Sequence, residues 1–276
     1  MGDAPPRTAA AWDVQHAAAR VPYDVQRTFT EHSALVLTPQ MRMLAAGMPS
    51  ALARGAATAV SGPAGCGKTT MLKAVAAVAD PAVNTAFADI TRGSTDRQVW
   101  EEIATAVLGV TVEGTARDMR HATLEHLVTH PTLLIVDEAQ FIGRAGLLQL
   151  RWLWAHPFPN GFAIVLAGSD LFSHLDADES IASRINRRIA LDHHTAATMV
   201  THIQNHHRLA AITDRDLLVR INEQYAQGSW RKWSNFLAEL RDQHHRGPIT
   251  EQAAQQALTS ITGRHIDLAE RQPSRR

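Results

Sequence analysis

The chain holds 276 residues, 45% of them hydrophobic, which is core enough for one large domain or two small ones. Lys+Arg and Asp+Glu both count 27, so no global positive field draws in nucleic acid, and any DNA contact has to come from a local patch. The single cysteine, Cys66, excludes an intramolecular disulfide framework, and neither a basic leader nor an apolar run of about eighteen residues is present, so a cytoplasmic protein without a membrane span is expected.

Residues 1–36 are Ala-rich, carry Pro5, Pro6 and Pro22, and show only a weak helical pattern over 9–20, which reads as an N-terminal arm. Thr38-Pro39 supplies an N-cap and a first-turn proline, and Met41, Leu44, Met48 and Leu52 keep helical spacing up to Gly55. A strand over 57–61 then leads into Gly62-Pro63-Ala64-Gly65-Cys66-Gly67-Lys68-Thr69-Thr70 and a helix-like run over 71–78. The segment satisfies G-x-x-x-x-G-K-[ST] at every fixed position, in the strand–loop–helix context the motif requires. Glycines there let backbone N–H groups curl round a phosphate at a helix N-terminus. Lys68 is expected to reach the β- and γ-phosphates and the Thr69 hydroxyl to take a place on Mg²⁺. Cys66 falls among the variable loop positions and reads as structural.

Asp80-Pro81 breaks the chain, and 85–90 reads as a second strand, followed by a polar loop over 91–95 with Thr95 as a cap. Helices are expected over 96–108 and 116–129, with Pro131 ending the second. The run over 132–138 is continuously apolar and closes in two carboxylates, as expected of a central parallel strand buried on both faces. In this pattern Asp137 holds the Mg²⁺ shell, and Glu138 orients or deprotonates an attacking water. A helix carrying Leu147, Leu148, Leu150, Trp152 and Leu153 runs to Pro157, a strand covers 162–168, a short basic helix 180–187 and a short last strand 188–191. Such alternation specifies an α/β fold with a parallel sheet between helical layers. From residue 195 onward four helical patterns, 195–209, 214–226, 230–244 and 250–260, form a small all-helical second domain. The domains expected are therefore an arm (1–36), a nucleotide-binding domain (37–192), a helical lid (193–262) and an Arg-rich tail (263–276).

In this order, P-loop, Walker B carboxylates, a polar residue after the fourth strand, an arginine-rich helix and a helical lid, the chain resembles the AAA+ ATPases over 37–262. The resemblance implies that Ser169 is the sensor 1 residue, that Arg184 is the arginine finger with Arg187 and Arg188 as alternatives, and that Arg231, following Gly228-Ser229-Trp230, is the sensor 2 arginine. Asp137-Glu138-Ala139-Gln140 and Gly168-Ser169-Asp170 are similar to strings in bacterial transposition-helper ATPases of the phage Mu B and TniB/TnsC type. Those proteins form ATP-dependent oligomers on duplex DNA and stimulate a DDE-type transposase. A ring or helical filament, duplex DNA and a transposase are the partners this implies. A helicase loader, a secretion-assembly ATPase or an ATP-sensing scaffold with little turnover are the alternatives. In such assemblies the segment after the second strand faces the channel, which implies Arg92, Thr95 and Arg97 as DNA contacts that grip phosphate without reading bases.

Fifteen histidines invite a metal reading, but His202 and His206 enclose Ile203 rather than the acid of an H-E-x-x-H helix, so no metal site is expected beyond Mg²⁺ at Thr69 and Asp137. Trp152, Trp154, Trp230 and Trp233 read as core or interface residues.

Overall fold

The computed structural model describes residues 36–268. The expected arm, apart from Val36, and the tail from 269 onward lie outside the described residues. Two compact units divide the rest: Leu37–Pro63 with Lys68–Leu191, and Val36 with Ala64–Gly67 and residues 192–268.

The first unit is built on a five-stranded sheet. Its strands are β1 (Ala57–Ser61), β2 (Asn84–Asp89), β3 (Thr132–Asp137), β4 (Phe162–Gly168) and β5 (Ile185–Ala190). They lie in the order β2-β3-β4-β1-β5, and every pairing is parallel. All residues of β1, β3 and β4 are buried, which is why these strands are apolar apart from Thr58, Ser61, Thr132 and Asp137, while the edge strands β2 and β5 alternate. Among the described residues α1 (Pro39–Arg54) precedes β1, and six helices connect the strands: α2 (Lys68–Ala77), α3 (Asp96–Leu108), α4 (Ala116–Thr129), α5 (Arg144–Trp154), α6 (Leu171–Asp176) and α7 (Glu179–Ala182).

Local chemistry explains their ends. Thr38 Oγ1 accepts from the Met41 N–H at 3.2 Å with Pro39 in the first turn, and Gly55 closes α1 at φ 64°. Reciprocal capping boxes start α3 (Thr95 with Gln98) and α4 (Thr115 with Asp118). Trp100 of α3 is fully buried with Ile103, Met119 and Leu127, and its indole N–H is met by Gln149 Oε1 at 2.6 Å.

The first unit departs from the expectation at its last strand. The basic helix over 180–187 is only α7, Glu179–Ala182, and the last strand starts at Ile185 rather than at 188. Ile185, Arg187 and Ile189 are more buried than Asn186, Arg188 and Ala190 between them, the two-residue period of an edge strand. The Asn186 carboxamide accepts from the Ala57 N–H at 2.8 Å, which ties the strand's start to β1. Arg187-Arg188 in sequence had hidden that period.

The second unit is helical outside its loop segment: α8 (Ala196–His206), α9 (Arg208–Ala211), α10 (Arg215–Ile221), α11 (Trp230–Asp242) and α12 (Glu251–Thr262). Trp233, Phe236, Leu237 and Leu240 of α11 bury against Met199, Ile203, Leu218 and Leu258. The pattern over 195–209 breaks at His207, which is extended at φ −134°. The pattern over 214–226 ends in a π-helical turn, Asn222–Ala226. Asn222 accounts for that turn: its buried carboxamide oxygen accepts from Gly228 N–H and Trp233 Nε1–H, each at 3.0 Å.

Candidate active site

β1, β4 and β3 are adjacent and parallel, so their C-terminal ends bring the loop from Gly62, the segment from Ser169 and the pair Asp137-Glu138 to one edge of the sheet. That edge, where strand order reverses, is where open α/β sheets bind ligands. Backbone bonds fix it: the Gly62 N–H donates to the Gly168 carbonyl at 3.2 Å, and the Leu171 N–H donates to Ser61 Oγ at 3.0 Å.

Lys68 opens α2 and is buried. Its ammonium donates to the Gly62 carbonyl at 2.7 Å, the Pro63 carbonyl at 3.1 Å and Ser169 Oγ at 3.3 Å. An ammonium has three donors, and these three acceptors are all neutral, so its hydrogen bonding is met while its charge is not. An anion beside it would relieve that imbalance, which is the fit expected of a phosphate at a helix N-terminus. The Thr69 hydroxyl donates to Asp137 Oδ2 at 2.6 Å, and Asp137 Oδ1 accepts from the Glu138 N–H at 2.9 Å. Burial pushes the Asp137 carboxyl above its ordinary value of 3.8, against the bonds from Thr69 and Glu138, with Glu138 and Asp89 adding repulsion. A hydroxyl and a carboxylate whose charge is disfavoured by burial form an oxygen donor set suited to a hard divalent cation.

Glu138 lies just past the end of β3 rather than within the strand. Its backbone is left-handed at φ 53°, a conformation a non-glycine residue adopts at some cost, and a 3₁₀ turn, Ala139–Phe141, follows it. Its Oε2 accepts from Gln140 Nε2 at 2.5 Å, and Gln140 Oε1 accepts from the Ser169 N–H at 3.1 Å. Gln140 was legible in the sequence only as a letter of a string. Nothing in spacing announces a carboxamide that fills the space a side chain at Gly168 would occupy, with Oε1 2.0 Å from where that Cβ would lie.

Within the loop, Gly65 and Gly67 have φ of 81° and 100°, which side-chain-bearing residues rarely adopt. In the second unit, a Cβ at Gly65 would stand 2.4 Å from Ser229 Oγ and 3.1 Å from Arg231 Cβ. The Gly65 carbonyl accepts from the Trp230 N–H at 2.9 Å, His193 Nε2 lies 3.1 Å from the Ala64 carbonyl, and a Cβ at Gly67 would meet Trp230 Cδ1 at 3.4 Å. Ala64, Gly65 and Gly67 are thus brought together with Ser229, Trp230 and Arg231, while Cys66 is buried and Thr70 continues α2.

The arginines separate. Arg184 is exposed between α7 and β5, at the opposite edge of the sheet from Ser61, and lines a groove with Arg54, Trp154, Ser183 and Asn186. Arg188 makes a two-pronged contact with Asp176 at 2.8 and 2.5 Å, and Arg187 donates to the Met43 carbonyl at 3.4 Å. Arg92 is exposed on the turn after β2. Thr95 is occupied as the α3 cap, and Arg97 pairs with Glu101 at 3.6 Å and donates to the Gly114 carbonyl at 3.3 Å. Trp233 and Trp230 are buried, but Trp152 is exposed and flanked by Arg120 and His156.

Residues 53–175 match the family model described as AAA domain. No curated protein sequence matches the chain. Among solved structures, the ORC2 protein of Aeropyrum pernix in its ADPNP-ADP complexes superposes with a TM-score of 0.65 at 18% identity, covering 86% of this chain and 72% of that one. A Walker-type ATPase of Pyrococcus abyssi gives 0.59 at 16% identity, covering 81% and 71%. The RuvB Holliday junction branch migration motor of Thermotoga maritima gives 0.52 at 16% identity, covering 80% and 68%. These likenesses show the AAA+ type of fold. No described helix is long and apolar enough to cross a membrane.

Proposed function

We propose that the chain is an AAA+ ATPase that binds Mg-ATP, assembles into a ring or helical filament, holds duplex DNA and regulates a partner DDE-type transposase. The observation that carries the nucleotide part is the buried Lys68 ammonium, whose three partners are neutral oxygens, at the sheet edge where Thr69, Asp137, Glu138 and Ser169 converge. In this reading residues 62–70 bind the phosphates, with Ser169 and Arg231 as further contacts to the nucleotide. Lys68 holds the β- and γ-oxygens, and Thr69 and Asp137 hold the cation. Bound Mg²⁺ supplies charge neutralisation at the β- and γ-phosphates. Glu138 takes the proton of the water that attacks the γ-phosphorus as the bond to the bridging oxygen of ADP breaks, and the proton ends on phosphate.

Arg184 supports the oligomeric part. It stands at the start of β5, while the loop follows the end of β1, and five residues of parallel strand separate those edges by about 17 Å at about 3.3 Å per residue. Its guanidinium is therefore suited to the γ-phosphate of a second copy rather than its own. The pairing of Arg188 with Asp176 favours Arg184 over that alternative. The DNA part is supported by the branch-migration motor among the similar folds and by exposed Arg92. The transposase part rests on the sequence strings alone. Electron microscopy of the full chain with ATP and duplex DNA tests the assembly, with rings or filaments on DNA expected and dispersed monomers contrary to it. ATP-dependent stimulation of strand transfer by a cognate transposase tests the partner.

A further inference from the structure

Gln140 uses both ends of its carboxamide. Nε2 donates to Glu138 Oε2 at 2.5 Å, and Oε1 accepts from the Ser169 backbone N–H at 3.1 Å. The partners fix which end is which, because a reversed amide would set oxygen against carboxylate and NH₂ against N–H. The seat is built for it. A Cβ at Gly168 would lie 2.0 Å from Oε1, 3.1 Å from Cδ and 3.2 Å from the Gln140 backbone nitrogen. Gly168 is a buried residue of β4 without a positive φ, so its lack of a side chain serves space rather than backbone conformation. Beyond Ser169 the network continues, since its hydroxyl is 3.3 Å from Lys68 Nζ. One amide thus joins the residue proposed as base to the segment whose hydroxyl meets the phosphate-binding lysine.

We infer that Gln140 is a positioning residue that clasps Glu138 and couples its carboxylate to Ser169, so that a change at Lys68 and Ser169 on nucleotide binding is passed to the base. This rests on the ATPase reading above. Holding Oε2 sets the direction of the other carboxylate oxygen, and orientation of this kind governs turnover far more than affinity: misplacement by about 1 Å can lower rate by about a hundredfold. The turn after β3 starts from the left-handed Glu138, so the clasp also accounts for why that backbone is held where it is.

The test uses the full chain with Gln140→Met, which keeps the volume and removes both hydrogen bonds, alongside Gly168→Ala, which displaces the carboxamide while retaining the glutamine itself. Binding of a fluorescent ATP analogue, steady-state kcat and KM, and thermal melting are measured for each and for the double variant. The expected result is nucleotide affinity within about threefold of wild type and kcat lower by about 10- to 100-fold in both single variants. The double variant should be little worse than either, because both changes break one coupling. Near-normal kcat in Gln140→Met overturns the inference, since packing alone would then suffice, and so does multiplication of the two losses in the double variant. Should Gly168→Ala melt far below wild type, Gln140→Met decides alone. A wild-type chain that hydrolyses ATP with Glu138→Gln inactive and Gln140→Met active defeats only the clasp; absence of wild-type turnover defeats the ATPase reading itself.

Discussion

Asp137→Asn separates the metal-binding role proposed for Asp137 from a structural one. The substitution keeps the volume, keeps Oδ1 as acceptor for the Glu138 N–H now at 2.9 Å, and lets the Thr69 hydroxyl turn from donor to acceptor. What it removes is a buried charge. Burial raises the Asp137 carboxyl above its ordinary 3.8, so the native state binds this proton more tightly than the unfolded chain does. The cost of ionising it is therefore absent below the unfolded value, grows as pH climbs toward the raised native value, and stands in full above that. Without nucleotide, Asp137→Asn should melt above wild type at pH 7, each kcal/mol relieved adding about 2–4 °C, and the gain should shrink as pH falls. With Mg-ATP the order reverses. At a hundredfold excess over Kd, binding adds about 2.7 kcal/mol, or roughly 5–10 °C, to wild type, and the variant should lose most of that increment. Thermal melts from pH 5 to 8, with and without Mg-ATP, make both readings. A variant that melts lower than wild type without nucleotide, or keeps the full Mg-ATP increment, refutes the reasoning.

Lys68→Ala should abolish binding of ATP analogues in a fluorescence titration, because it removes the charge set against the phosphates. Gly65→Ala should weaken the same binding and lower the melting temperature, since φ is 81° and Ser229 Oγ would lie 2.4 Å from the new Cβ. Arg184→Ala should bind ATP without hydrolysing it, and mixing it with Glu138→Gln should restore part of the turnover if subunits exchange; no recovery under demonstrated exchange argues against action on a neighbour. Arg92→Ala with Arg97→Ala should weaken duplex binding for all sequences and reduce the slope of log K against log salt by about 1 to 2 per protomer, with most of the effect from Arg92 because Arg97 is paired with Glu101.

The central strands were readable because residues buried on both faces are mostly apolar, as in β4 throughout and in β1 and β3 apart from Thr58, Ser61, Thr132 and Asp137. Helix starts at Thr38, Thr95 and Thr115 follow from side chains that meet orphan N–H groups, a chemistry local enough to read along the chain. Edge strand β5 was misread because its exposed face carries Asn186 and Arg188 and its partner across the sheet, β1, lies far away in sequence. The loop lysine, its threonine and the two strand-end carboxylates are fixed by spacing, and the sheet brings Lys68 within hydrogen-bonding reach of Ser169 and Thr69 within reach of Asp137. Gln140 escaped because its meaning depends on an empty volume at Gly168, whereas the capping role of Thr95 and the i,i+4 pair of Arg97 with Glu101 follow from local spacing.

The central claim is that the edge formed by β1, β4 and β3 hydrolyses ATP with Glu138 as base. The direct measurement is steady-state phosphate release by the full chain with Mg-ATP, with EDTA, and for Glu138→Gln, with nucleotide affinity determined in parallel. Mg²⁺-dependent release by wild type, loss of at least about a hundredfold in Glu138→Gln, and nearly unchanged affinity for ATP are expected. Wild-type release that persists in EDTA, or a Glu138→Gln rate close to wild type, would contradict the claim.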